Sequence, residues 1–197
     1  MKKKIVIRSK DDLEKFYKRL WLYRGFFYRF TKFEVENANY DVLVFVNALN
    51  IKNRRKRIEY IYEQACDELD SFYDGKNMCG FKGNQCYVQR KLKNNKFNGC
   101  CRMCIHQSKT GCKTKNLTCK LFFCSEVKKR YKVLGINDIN IIKLLTKRQR
   151  YILSNCYFTS KKEVLNDLYI GSIMIVLFRY GYRIVRNIFI RKLMNRD

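Results

Sequence analysis

Eight of the chain's ten cysteines fall in one stretch: Cys79, Cys86, Cys100, Cys101, Cys104, Cys112, Cys119 and Cys124. Eight thiols make two sets of four, and four thiolates complete a closed tetrahedral zinc site. Cys101-Arg-Met-Cys104 has the C-x2-C spacing whose tight turn directs two sulfurs onto one ion. Glycine adjoins cysteine at positions 80, 99 and 111, which suits loops that bend sharply around a metal. Adjacent thiols are hard to aim at the same ion, so Cys100 and Cys101 are assigned to different sites. The simplest partition gives Cys79, Cys86, Cys101 and Cys104 to one zinc and Cys100, Cys112, Cys119 and Cys124 to a second. An interleaved partition fits the spacing equally well.

His106 is the sole histidine and could replace one cysteine as a ligand. Thiolate-only sites also suit iron–sulfur clusters, but the tandem C-x2-C-x2-C run is absent. Zinc is therefore favoured, with an iron–sulfur or thiol redox centre as the alternative. Cys66 and Cys156 lie in helical patterns among apolar neighbours and read as core residues. Catalysis is not expected. There is no H-E-x-x-H, no H-x-E and no Gly-rich phosphate loop, so the zinc reads as structural.

The charge around the thiols is as uneven as their spacing. The chain carries 43 Lys+Arg against 17 Asp+Glu, a formal +26. Residues 79–133 hold fourteen of those bases and one acid, Glu126, so half the net charge sits in the cysteine-rich stretch. Part of this excess compensates thiolate-bound metal centres. The remainder implies a polyanionic partner, with nucleic acid first. The candidate contacts are Arg90, Lys91, Lys93, Lys96, Arg102, Lys109, Lys113 and Lys115, on loops that a metal would hold rigid. A protein partner and peripheral contact with an anionic membrane are the alternatives. The run Ile5–Ile7 is too short for the apolar core of a secretory signal, which points to a reducing, cytoplasmic setting.

The elements that would position this stretch are mainly helical. The expected fold is mainly α, with helical segments flanking a central irregular cysteine-rich module. Its divisions are 1–75, 76–126 and 127–197. "KIVIRS" reads as a short strand, with Ser9 capping a helix from Lys10 and Asp12 standing in for the capping-box acid. Phe16, Leu20, Tyr23, Phe27 and Phe30 recur at helical spacing and predict a helix over Lys15–Phe33, bent or ended at Gly25. Its interleaved rings and bases could stack on single strands, although most of the rings are expected in the core.

Tyr40–Asn50 is apolar and β-branched enough for either a strand or a buried helix, and helix is favoured. Lys52–Tyr73 reads as a second, with Ile58, Ile61, Ala65, Leu69 and Phe72 on one face and an acidic stripe, Glu59, Glu63, Asp67, Asp70 and Asp74, on another. That stripe is expected to neutralise bases of the same molecule. From Asp74 to Ser125 helical periodicity disappears. "NLT" at Asn116–Thr118 matches a glycosylation sequon and reads as plain loop.

Helix returns after residue 135. Leu145–Ile175 locally resembles the helix-turn-helix at the DNA-binding end of sigma-type factors. "LTKRQRYIL" precedes "SKKEVLNDLYI", Ser160 and Glu163 form a capping box, and Val164, Leu168 and Ile170 fall at core positions. The resemblance implies that the following helix reads DNA. Yet Leu165 stands where a small residue is wanted, and "SIMIVLFRYGYR" offers base edges almost nothing polar, so no such motif is assigned. Leu168–Phe178 is apolar but too short to cross a bilayer, and Arg179, Arg183 and Arg186 follow it. Those arginines share one helical face. This suits either a helix resting on anionic lipid or a long C-terminal helix half buried in the fold.

Overall fold

The computed structural model describes residues 3–22, 30–36, 40–74, 76–80, 82, 86–87, 90, 107–108, 111–112, 116–157 and 159–194. Strands β1 (Lys3–Ile7) and β2 (Thr31–Val35) pair in parallel, from Lys3 opposite Thr31 to Ile7 opposite Val35. Parallel strands need a crossover, and α1 (Lys10–Leu22) supplies it. Ser9 Oγ accepts the Asp12 N–H at 3.2 Å, while the Asp12 carboxylate accepts the Arg8 N–H at 3.1 Å. The acid thus reaches one residue further back than in a capping box. Ile7, Leu13, Phe16 and Phe33 are buried, and the Phe16 and Phe33 rings meet edge to face at 5.2 Å.

This arrangement corrects the helix expected to run through Phe33. Thr31 and Phe33 face inward while Lys32 faces out, the period of a strand, and Phe30 is exposed ahead of it. The other edge of β2 is closed by side chains. Asn50 brackets Phe33, accepting its N–H at 3.0 Å and donating to its carbonyl at 2.8 Å, and Lys52 donates to the Thr31 carbonyl at 2.6 Å. These contacts satisfy an edge that would otherwise stay unpaired.

Asn50 ends α2 (Tyr40–Asn50), as expected, and α3 (Arg54–Tyr73) follows. Asn53 caps α3 by accepting the Lys56 N–H, and Asp74 ends it in the left-handed region at φ 43°. Ile58, Ile61, Tyr62, Ala65, Cys66 and Leu69 form its buried face. Each fully buried Ile or Leu there stabilises the fold by roughly 1.5–3 kcal/mol. Phe72 departs from expectation. It is exposed at the helix end and meets Tyr73 edge to face. The acidic stripe does pair within the molecule, Glu63 with Lys161 and Asp70 with Lys120.

Beyond α3 come a two-residue hairpin, β3 (Gln107–Ser108) against β4 (Gly111–Cys112), then α4 (Leu117–Lys120) and α5 (Ser125–Arg130). A 3-10 turn, Asn140–Leu144, packs on α3. Helices α6 (Lys147–Asn155), α7 (Lys161–Ile170) and α8 (Ile173–Met194) complete the chain. Both α6 and α7 start on complete capping boxes, Thr146 with Gln149 and Ser160 with Glu163. Gly171 ends α7 at φ 65°, where a Cβ would also press on Arg54. One hydrophobic cluster runs through Ile7, Leu69, Leu117, Ile139, Leu153, Leu168 and Val176, so the molecule is mainly helical around a shared core. Ile170 lies outside that cluster and is exposed, contrary to its expected core position, whereas Val164 and Leu168 are fully buried.

Candidate metal-binding module and its anchors

The cysteine-rich stretch leaves α3 through a series of tight turns. Met78 N–H donates to Lys76, and Gly80 N–H donates to Asn77 at 2.8 Å, which places Cys79 in the bend. Gly80 adopts φ +58°, and a Cβ there would come within 3.2 Å of the Tyr87 Cβ. Only glycine fits that position comfortably. Tyr87 N–H donates to the Cys79 carbonyl at 3.0 Å, and Arg90 closes the turn by donating to the Cys86 and Gly80 carbonyls. The segments carrying Cys79 and Cys86 are therefore tied directly together. Met78, Gly80 and Tyr87 face Val127 and Arg130 of α5, and the Arg130 guanidinium stacks 3.6 Å above the Tyr87 ring.

At the far end the stretch is locked into the core by three residues read from sequence as plain loop. Asn116 is fully buried. Its Nδ2 donates to the Cys156 and Thr159 carbonyls at 2.9 Å each, while its Oδ1 accepts the Thr118 N–H. Leu117 N–H donates to the Tyr62 hydroxyl at 2.8 Å, and Thr118 Oγ1 donates to the Leu153 carbonyl at 2.6 Å. The sequon match was incidental. The tripeptide caps α4 and fastens it to α3 and α6 through buried polar groups that water cannot reach.

Between these anchors the eight thiols are described unevenly. Cys79, Cys119 and Cys124 are half-buried and Cys86 is buried, none in a disulfide. Cys112 contributes its backbone to β4, paired with Gln107. Cys100, Cys101, Cys104 and His106 lie outside the described residues. Each four-thiol set thus keeps two described side chains, Cys79 with Cys86 and Cys119 with Cys124. Among the described residues, no three Cys, His, Asp or Glu side chains group closely enough to hold a metal. Cys124 occupies the N-cap of α5 without capping it by a side-chain hydrogen bond.

The two remaining cysteines are in the core, as expected. Burial pushes the Cys66 thiol up to about 11. Burial and then the Asp167 charge push Cys156 up to about 12, and its Sγ donates to Asp167 Oδ2 at 3.7 Å.

Of the eight bases expected to contact nucleic acid, Arg90 is described, half-buried and donating to Gly80. Lys91, Lys93, Lys96, Arg102, Lys109, Lys113 and Lys115 lie outside the described residues. Sequence reasoning passed over a second basic group, Lys128, Lys129, Arg130 and Lys132, all exposed on and just after α5. The run "VKKRYK", continuous with the module, was the signal.

The arginine face of α8 is paired with acids of α7, with Arg183 buried and Arg179 and Arg186 partly exposed. Asp167 is fully buried and accepts from Arg179 at 2.9 Å and Arg183 at 2.8 Å. Glu163 lies 3.9 Å from Arg183 and 4.0 Å from Arg186. Burial works against the Glu163 carboxylate. Hydrogen bonds from Thr159 and Ser160, then the Arg183 and Arg186 charges, outweigh burial and hold its pKa below the ordinary value. A charge buried without a partner is costly, so α7 must present acids where α8 presents arginines.

No protein-family profile matches the chain. No curated protein matches it. No solved structure matches it either.

Proposed function

We propose that this chain is a zinc-structured basic protein that binds nucleic acid without catalysing a reaction. The observation that carries the reading is the coincidence of eight cysteines with fourteen bases and one acid over residues 79–133. Two zinc ions would each take four thiolates and hold the intervening loops rigid, in either of the two partitions. The basic loops would then contact phosphate, through Lys91, Lys93 and Lys96 and through the exposed Lys128–Lys132 run. Two supports come from the fold. The module's ends are fastened to the core at Asn116–Thr118 and against α5, and several acids are already spent on internal ion pairs. The positive surplus is left for a polyanion, in a reducing compartment such as the cytoplasm that keeps thiols available for metal.

The test is equilibrium binding of short DNA and RNA by zinc-loaded protein over a range of salt. Affinity is expected to fall steeply with salt, and replacing Lys91, Lys93 and Lys96 together with Glu should weaken it at every sequence tested. Each lost phosphate contact should flatten the log–log salt slope by about 0.7–0.9. Unchanged affinity and slope would refute the basic-loop interface.

A further inference from the structure

The side of α8 away from its buried residues Val176, Arg183 and Asn187 is apolar and open. Met174 is 78% exposed, Phe178 80%, Tyr182 63%, Val185 66%, Phe189 62% and Leu193 50%. From Ile173 to Phe189 every exposed residue of α8 is apolar, Gly181 included. The spacing 174, 178, 182, 185, 189, 193 keeps these side chains in one line along a 22-residue helix. At 1.5 Å per residue the line from Met174 to Leu193 is roughly 29 Å long. Soluble surfaces rarely leave so continuous a patch uncovered.

We infer that this stripe docks flat on an anionic lipid surface. The charge around it selects the occupant. Helix α8 contains no Asp or Glu, and the nearest acids, Glu163 and Asp167, are engaged by its own arginines. The partly exposed charges at the stripe's margin are Arg179 and Arg186, with Lys192 exposed near its end, all positive. A second copy would bring the same marginal cations, and a body of the same positive sign, against this face. Anionic headgroups would complement those same charges.

The composition agrees. Two phenylalanines and a methionine supply apolar depth, and Tyr182 has the amphipathic ring suited to the headgroup boundary. The helix lies on the surface and does not cross it. Among the described residues no helix is long and apolar enough to span a membrane, and the ion pairs from Arg179 and Arg183 to Asp167 hold α8 against the body. Inverting the amphipathic pattern, charge inward and apolar outward, is what lets a helix be both anchored in the fold and open to lipid.

The experiment uses the full zinc-loaded chain with vesicles of phosphatidylcholine alone or mixed with phosphatidylserine. In a Trp21→Phe background, Phe178→Trp should emit at shorter wavelength when phosphatidylserine vesicles are added, and brominated lipid should quench it. Changing Phe178 and Phe189 together to Glu should lower vesicle binding by about tenfold or more while leaving nucleic-acid affinity unchanged. The milder Phe178→Ser, Phe189→Ser pair should lower it less, with thermal unfolding of both variants checked beside the parent. Vesicle binding that survives the Glu substitutions would overturn the proposal, as would emission from the introduced tryptophan that lipid does not move. So would a dimer in sedimentation that the Glu pair dissociates, in protein that ignores vesicles.

Discussion

Cys156 and Cys79 are the same residue in opposite surroundings. Cys156 has no exposed surface, leans its Sγ on the Asp167 carboxylate and is held protonated far into alkaline pH. Cys79 is half-buried in a glycine-assisted turn, its carbonyl tied to the turn that carries Cys86, at the entry to the chain's most basic stretch. A metal takes the thiolate, never the thiol. An apolar core beside a buried carboxylate suppresses that form, whereas a segment rich in lysine offers the charge that a dianionic tetrathiolate centre calls for. Counting cysteines is therefore less informative than asking what surrounds each one.

The largest expected effect separates the two populations by reactivity. In reduced, zinc-loaded protein treated with a strong chelator, the eight cysteines from Cys79 to Cys124 should become reactive to a thiol reagent. Cys66 and Cys156 should react only after denaturation. If all ten react together on chelation, the distinction collapses.

A smaller effect probes the link between the regions, since Asn116 binds the Cys156 carbonyl. Asn116→Ala removes an N-cap and leaves the Cys156 and Thr159 carbonyls without this donor, at a cost of about 2–5 kcal/mol in urea unfolding. A loss below about 1 kcal/mol would mean the anchor does not hold the module.

The smallest effect is in pH. The folded Cys156 thiol lies at about 12, above its ordinary value of 9.0. The unfolded chain therefore releases a proton from about pH 9 that the folded chain keeps. Stability from this group is complete below pH 9 and lost as pH rises towards 12, by about 1.4 kcal/mol per pH unit. Cys156→Ala should show a shallower alkaline decline than the parent between pH 9 and 11, and equal slopes would place Cys156 outside the core's titration.

Much of this contrast was readable before the structure. The apolar neighbours of Cys66 and Cys156 identified them as core, and helical spacing located α3 and the return of helix through α6, α7 and α8, while the apolar run of α2 fitted strand as well as the favoured helix. Ser9 and the Ser160–Glu163 pair marked two helix starts correctly. What escaped depends on partners distant in sequence. Thr31–Val35 is a strand because β1 lies beside it, and helical spacing of aromatics carried the expected helix into Thr31–Phe33. Asn116 is buried because Cys156 and Thr159, some forty residues later, present carbonyls to it. The arginines of α8 were correctly grouped on one face, but periodicity cannot say which face turns inward. The acids Glu163 and Asp167, a turn apart on α7, decided it. Of the candidate metal site, the residue types and their crowding were legible. The pairing of thiols was not, because spacing does not fix connectivity.

The central claim is that the cysteine-rich stretch is organised by zinc, and metal content tests it most directly. Protein purified under reducing conditions without chelator should contain two zinc ions per chain by elemental analysis, with no visible absorption. Iron with visible absorption would replace zinc by a cluster. Protein that is folded, fully reduced and metal-free would contradict the account outright.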